Sequence, residues 1–187
     1  MNSFARIVVG YHGCLKPFAE RVLSGGLAIK DWQPSQNPYD WLGHGIYFWE
    51  HGPARAQRWA EEKARTEGGE PAVVGALIQL GECFDLTDER NTANLAVAYD
   101  LVKSSYEAAG KQLPSNQGRT EDLKGRKLDC LVVNYYLQEV AEIEYQTVRG
   151  VFREGDRAFD GSMLYRETHV QVAVVDPTCI LGVFYPI

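Results

Sequence analysis

No run of apolar residues in this chain is long enough to cross a bilayer as a helix, and the opening MNSFARIVVG is too short an apolar stretch for a secretory signal. Cysteine is sparse and scattered. Cys14, Cys83, Cys130 and Cys179 form no CxxC pair, which removes the usual basis of a zinc site, and no metal is expected. Each stands beside apolar residues, as a buried free thiol does, so a reducing, cytoplasmic setting is expected. Cations are also in deficit. Nineteen Lys and Arg against 25 Asp and Glu leave a net charge of −6, which argues against a broad electrostatic grip on DNA or RNA. The one basic stretch, residues 111–127, is diluted by Glu121 and Asp122 and reads as a solvated loop. Internal repeats and low-complexity segments are missing as well.

What remains is ordinary globular composition, 45% hydrophobic and 11% aromatic over 187 residues, enough for a single domain covering 1–187. The β-branched run 6–11 predicts a buried strand ending in His12-Gly13. Residues 17–24 suit a short helix with Pro17 in its first turn and Gly25-Gly26 stopping it. The segment 30–45, rich in Pro, Asn, Asp, Gly and Trp, reads as a long ordered loop that leads into a short strand at 46–49. Pro53 opens a helix whose Ala56, Trp59, Ala60 and Lys63 share a face. A central strand is expected over 72–80, helices over 94–109 and 128–140, and strands over 170–175 and 179–184 around an Asp176-Pro177 turn. Residues 149–160 read as a loop in which Arg153, Glu154 and Arg157 could hold a phosphate or a target. Strands and helices mix without regular βαβ alternation, so the class is α+β.

Three segments carry the chemistry: GYHGC at 10–14, WLGHGIYFW at 41–49 and HVQVAVVDP at 169–177. In this order the chain resembles the NAD-dependent ADP-ribosyltransferase superfamily, in the branch shared by diphtheria-type toxins and poly(ADP-ribose) polymerases. That branch has a His-Gly strand end, a Gly-x-Gly-Ile-Tyr-Phe segment and a late strand bearing Glu or a substitute. The resemblance implies a split β-sandwich flanked by helices, NAD as co-substrate, and a small toxin or defence effector with a possible antitoxin or inhibitor protein. His12 would hold a ribose hydroxyl. Gly13 would let backbone groups reach the nicotinamide carboxamide, and Gly43 and Gly45 would let the preceding loop bend over the ligand. Tyr47 would stack on the cationic nicotinamide ring, with Tyr11 or Tyr39 on its other face. Trp32 and Trp41 are candidate pocket walls.

Cleaving the nicotinamide–ribose bond builds positive charge on the sugar, so an acceptor that binds more tightly in the transition state accelerates it. The family usually places a Glu there, whereas counting back from Asp176-Pro177 places Gln171. An amide keeps the ribose hydrogen bond but adds no charge, which points to mono-ADP-ribosylation of a protein or nucleic-acid acceptor rather than polymer synthesis. NAD hydrolysis, or binding without cleavage, are the alternatives. Strand alternation puts Glu167 on the face of His169 and Gln171, leaving it as a rival catalytic carboxylate. By the same resemblance, His169 occupies a position that meets the acceptor.

Overall fold

A computed structural model describes residues 4–118 and 123–186 of the chain. Arg119, Glu121 and Asp122 of the basic stretch therefore lie outside the described residues, as do the first three residues and the last. Among the described residues, seven strands form one mostly antiparallel sheet with four α-helices around it, an α+β arrangement. No helix among the described residues is long and apolar enough to cross a membrane.

Strand β1 spans Phe4–Leu15, longer than the apolar run alone suggests, because β3 (Pro71–Gly81) pairs with it as far as Leu15↔Pro71. Helix α1 (Lys16–Leu23) follows directly, with Pro17 in its first turn, and buries Ala19 and Val22. β2 (Ile46–Glu50) leads into α2 (Pro53–Glu67), which packs against β1 and β3. Ala56 and Ala60 are fully buried at that contact, but Trp59, expected on the same face, is 45% exposed. Its ring instead lies 6.0 Å from that of Trp49.

The chain continues through β4 (Cys83–Asp85) and α3 (Glu89–Ala108) to α4 (Lys127–Tyr135), which ends in a π-helical turn, Tyr136–Val140. α3 starts five residues earlier than its apolar periodicity indicates, because Asp88 caps it by accepting from the Arg90 N–H. Two elements escape the sequence pattern. β4 is only three residues long, and β5 (Thr147–Phe152) occupies the first part of what reads as a loop. β6 (His169–Val174) and β7 (Ile180–Phe184) flank a 3₁₀ turn, Pro177–Cys179, capped by Asp176.

The sheet order is β4-β5-β6-β2-β1-β3-β7, and only the β4–β5 pairing is parallel. Apolar side chains form two buried clusters. One, around Phe48, Val74, Ile78, Val172 and Trp32, takes in α1; the other, around Leu42, Phe84, Val133, Val148 and Ala173, takes in α3 and α4. The four cysteines are free thiols. Burial pushes Cys14 and Cys83 up to about 11, which keeps them protonated and poor nucleophiles.

Candidate active site

The site begins where two neighbouring strands part. β1 and β2 pair through Gly10↔Glu50 and Tyr11↔Trp49. Continuing that register would set Gly13 opposite Tyr47, but the ladder stops short of it. Val9 accepts from the His51 N–H, so the odd residues of β1 turn their backbone groups toward β2. Gly13 is the next odd residue beyond the paired stretch, and its N–H and C=O face the opening. A side chain there is excluded for a different reason: a Cβ would run into the Ala56 carbonyl oxygen of α2.

His12 spans the gap. Its Nδ1 lies 2.8 Å from the Tyr47 carbonyl, which can only accept, so Nδ1 carries the proton and Nε2 is left as an acceptor. Burial lowers the ring to about 4, against the opposing pull of that carbonyl, and the imidazole is neutral. Phe18, Trp32 and Phe48 surround it at ring-centre distances of 5.0–5.8 Å.

The 30–45 loop is ordered by its own polar groups. Ser35 pairs with Gly45, and Asp40 accepts from the Asn37 N–H. The Tyr47 hydroxyl ties the loop to β2: it accepts from the Leu42 N–H at 2.8 Å and donates to the Gly43 carbonyl at 2.6 Å. Gly43 adopts a φ of 76°, and a side chain there would strike Asn134. Gly45 lies close over Ala173 and Val174 of β6.

Gln171 sits on β6 between Trp49 of β2 and Gly150 of β5, and is 7% exposed. Next to it on the same face is His169, whose Nδ1 is 2.8 Å from the Glu167 carbonyl and whose Nε2 is 3.0 Å from the Gln171 amide nitrogen. Beyond the end of β5, the side chain of Glu154 is wholly buried. One carboxylate oxygen is 2.6 Å from Arg55 of α2, and the other is 3.0 Å from Lys124. Burial works against its charge, but these two cations prevail and hold the carboxyl below its usual range.

Around these groups lies a cavity of about 870 Å³, within the size range of small-molecule sites. Of the residues expected at a site, His12, Gly13, Tyr39, Gly45, Tyr47 and Gln171 all line it, with Trp32 and Trp41 in its walls. Tyr39, rather than Tyr11, reaches the opening; Tyr11 packs edge-on to Phe184. Glu167 is not among the lining residues. The ladder does continue past β6, with its N–H donating to the Glu154 carbonyl, yet its side chain pairs with Arg58 of α2 at 2.9 Å. Arg153 and Arg157 do not line the cavity either; both guanidinium groups lie over the Tyr165 ring, and Arg157 also donates to the Ser162 carbonyl. The cavity adds two groups that residue patterns did not single out, Arg55 and Lys124, and a third, the Glu154 carboxylate, that they named only within a loop able to hold a phosphate or a target. Recognising β5 as a strand would have found the last of these, since alternation from Gly150 and Phe152 carries Glu154 onto the face of Gln171.

Among the described residues, no group of three or more His, Cys, Asp or Glu side chains is placed to hold a metal ion. Comparison with family models, curated proteins and solved structures finds no match to this chain.

Proposed function

We infer that the protein is an NAD-dependent mono-ADP-ribosyltransferase of the diphtheria-toxin and poly(ADP-ribose) polymerase branch, built on that family's split β-sandwich. One observation carries the reading: three distant segments, ending β1, opening β2 and running along β6, bring His12, Gly13, Tyr47 and Gln171 to a single cavity of about 870 Å³.

The donor set suits a pyridine nucleotide. Gly13 offers an N–H and a C=O side by side, the pair a carboxamide needs. The Tyr47 ring supplies an aromatic face for a flat cation, worth about 1–2 kcal/mol once water is excluded. His12 Nε2 accepts from a ribose hydroxyl, and the Gln171 carbonyl oxygen is a second acceptor for the sugar beside the scissile bond. In the reaction, the bond between ribose C1′ and the nicotinamide nitrogen breaks with its electron pair leaving on nicotinamide. C1′ is taken by a nucleophile of the acceptor, whose proton is released. Gln171 stabilises the electron-poor sugar through hydrogen-bond polarisation alone, so turnover is slow and addition of a single ADP-ribose is favoured over chain growth.

The same neutrality supports a second reading, binding of NAD or ADP-ribose without cleavage, since the nearby Glu154 carboxylate is committed to two cations. Incubation with labelled NAD, alone and in lysate, separates transfer, hydrolysis and binding without cleavage. Label on protein or nucleic acid supports transfer. Nicotinamide release without label supports hydrolysis, and NAD binding with neither supports binding without cleavage. Gln171→Ala should slow turnover by about tenfold or more while binding NAD nearly as well. Loss confined to Glu167→Ala would refute the role given to Gln171.

A further inference from the structure

We propose that His169, backed by Glu154 and Arg55, is a positioning residue that keeps the Gln171 carbonyl oxygen turned into the cavity, and that a proton on His169 reverses the amide. The inference rests on the reading of Gln171 as the acceptor for the ribose.

The argument is one of donors and acceptors. The Glu167 carbonyl can only accept, so the His169 Nδ1 that faces it at 2.8 Å carries the hydrogen. In the neutral ring Nε2 is then a bare lone pair. The Gln171 side chain meets it at 3.0 Å, and only the NH₂ end can donate. Oε1 must therefore point the other way, toward the cavity that Gln171 lines. Rotating the amide by half a turn would set oxygen against a lone pair in a place where neither group is more than 9% exposed, with little water to relieve the clash.

Protonation inverts the preference. An imidazolium carries N–H groups on both nitrogens, and Nε2–H then faces an NH₂, donor against donor. The amide rotates, its oxygen goes to His169, and its NH₂ enters the cavity. A ribose hydroxyl that donated to oxygen now meets a donor.

Which form is present depends on the charges around the ring. Glu154 lies 3.6 Å from Nδ1 and favours the proton, as does Glu167 farther out. Arg55 of α2, 2.6 Å from the same Glu154 oxygen, opposes it, and Lys124 neutralises the other carboxylate oxygen from the 123–126 segment. Arg58 pairs with Glu167 in the same way. Trp41 stacks on the ring at 6.1 Å and Phe152 lies tilted to it at 5.9 Å, and the Arg126 guanidinium sits over the Trp41 and Phe152 rings at 4.2 and 5.0 Å, a further cation near His169. Burial outweighs the acidic neighbours and holds His169 below its ordinary value. Beside that burial, the cations of the Arg55–Glu154–Lys124 cluster offset the pull of the Glu154 carboxylate on a His169 proton.

The test uses the full chain without NAD first. ¹⁵N NMR of the His169 ring and the Gln171 side-chain amide should show a protonated Nδ1 and bare Nε2 at neutral pH. On acidification the amide signals should move with the His169 midpoint. An Nε2-protonated ring at neutral pH, or an amide indifferent to the His169 titration, overturns the proposal. Lys124→Gln, a change at a half-exposed side chain, should shift that midpoint to higher pH, and Lys124→Arg should restore it; an unmoved midpoint in Lys124→Gln counts against the relay. Nicotinamide release by the wild type should fall at least about tenfold through the same midpoint. If amide and ring titrate together but no nicotinamide is released at any pH, the relay stands and the transferase reading fails.

Discussion

The Tyr47 hydroxyl offers the most direct measurement of how the cavity is held open. It bridges two backbone groups of the preceding loop, accepting from Leu42 N–H at 2.8 Å and donating to Gly43 C=O at 2.6 Å, with Leu42 wholly buried and Gly43 buried beside it. Tyr47→Phe keeps the ring and removes the bridge. Each backbone group is then left facing carbon in a site closed to water, at about 1–3 kcal/mol apiece. Allowing for partial relaxation of the loop, the loss is about 2–4 kcal/mol. For a domain of this length, 1 kcal/mol corresponds to about 2–4 °C in Tm. Thermal unfolding followed by near-ultraviolet circular dichroism should therefore show a fall of roughly 4–16 °C. Tyr39→Phe, at a side chain 46% exposed on the cavity lip, should leave Tm where it was. On the proposed reading, NAD affinity in Tyr47→Phe should also drop although the ring survives, because the loop that frames the cavity has lost its tether. A Tyr47→Phe protein that melts with the wild type would show that the hydroxyl bridge does not organise the loop, and the account of the cavity wall would go with it.

Two further outcomes follow from the β1 side of the cleft. His12 is held near 4 rather than its usual 6.5 chiefly by burial, so the unfolded chain takes up its proton before the folded one does. Its contribution is complete above about 6.5 and is lost as pH falls through 4, a total on the order of 3 kcal/mol. Urea denaturation of His12→Asn should accordingly lose less stability between those pH values than the wild type; parallel pH profiles would refute this. Gly13→Ala drives a Cβ into the Ala56 carbonyl and close to the Ala60 nitrogen, so α2 must shift. A loss of about 2–3 kcal/mol is expected in the same denaturation assay, and an unchanged midpoint would mean that the strand–helix contact is looser than drawn.

The parts of this fold that could be read from residues alone are those where one segment settles its own structure. The apolar runs of β1 and β3, the Pro-opened α1 and α2, and the Asp176-Pro177 turn all declare themselves locally. β5 does not, because Arg149 and Gly150 break its apolar alternation. The strand exists because β6 and β4 pair with it on either side, and Arg149 is held by Glu50 and Asp85, residues distant in sequence. The same distinction runs through the site. His12, Gly13, Tyr47 and Gln171 lie at or near strand ends that are legible one by one. Glu154 and Glu167 each take a partner from α2, 99 and 109 residues away. Alternation alone placed Glu167 on the face of Gln171, and the ladder does extend that far. What alternation does not contain is Arg58, which draws the Glu167 carboxylate onto the helix and away from the cavity.

Those two ion pairs bear on why residue 171, beside the sugar on the proposed reading, is a neutral amide. Arg55 and Arg58 are three residues apart on α2, hence on one side of the helix, and each takes a carboxylate from the two chain segments that extend the β5–β6 ladder. A carboxylate at Gln171 would bring a third negative charge to this corner, directly against the bare Nε2 of His169. Its neighbour would then be driven to the imidazolium, and the Arg55–Glu154 pair would face a cation at 3.6 Å instead of a neutral ring. Glutamine avoids that rearrangement while keeping an oxygen in the cavity. On this argument Gln171→Glu is not a simple gain of catalytic charge: the new carboxylate and His169 would form an ion pair with each other, and the charge available to the sugar would be the remainder.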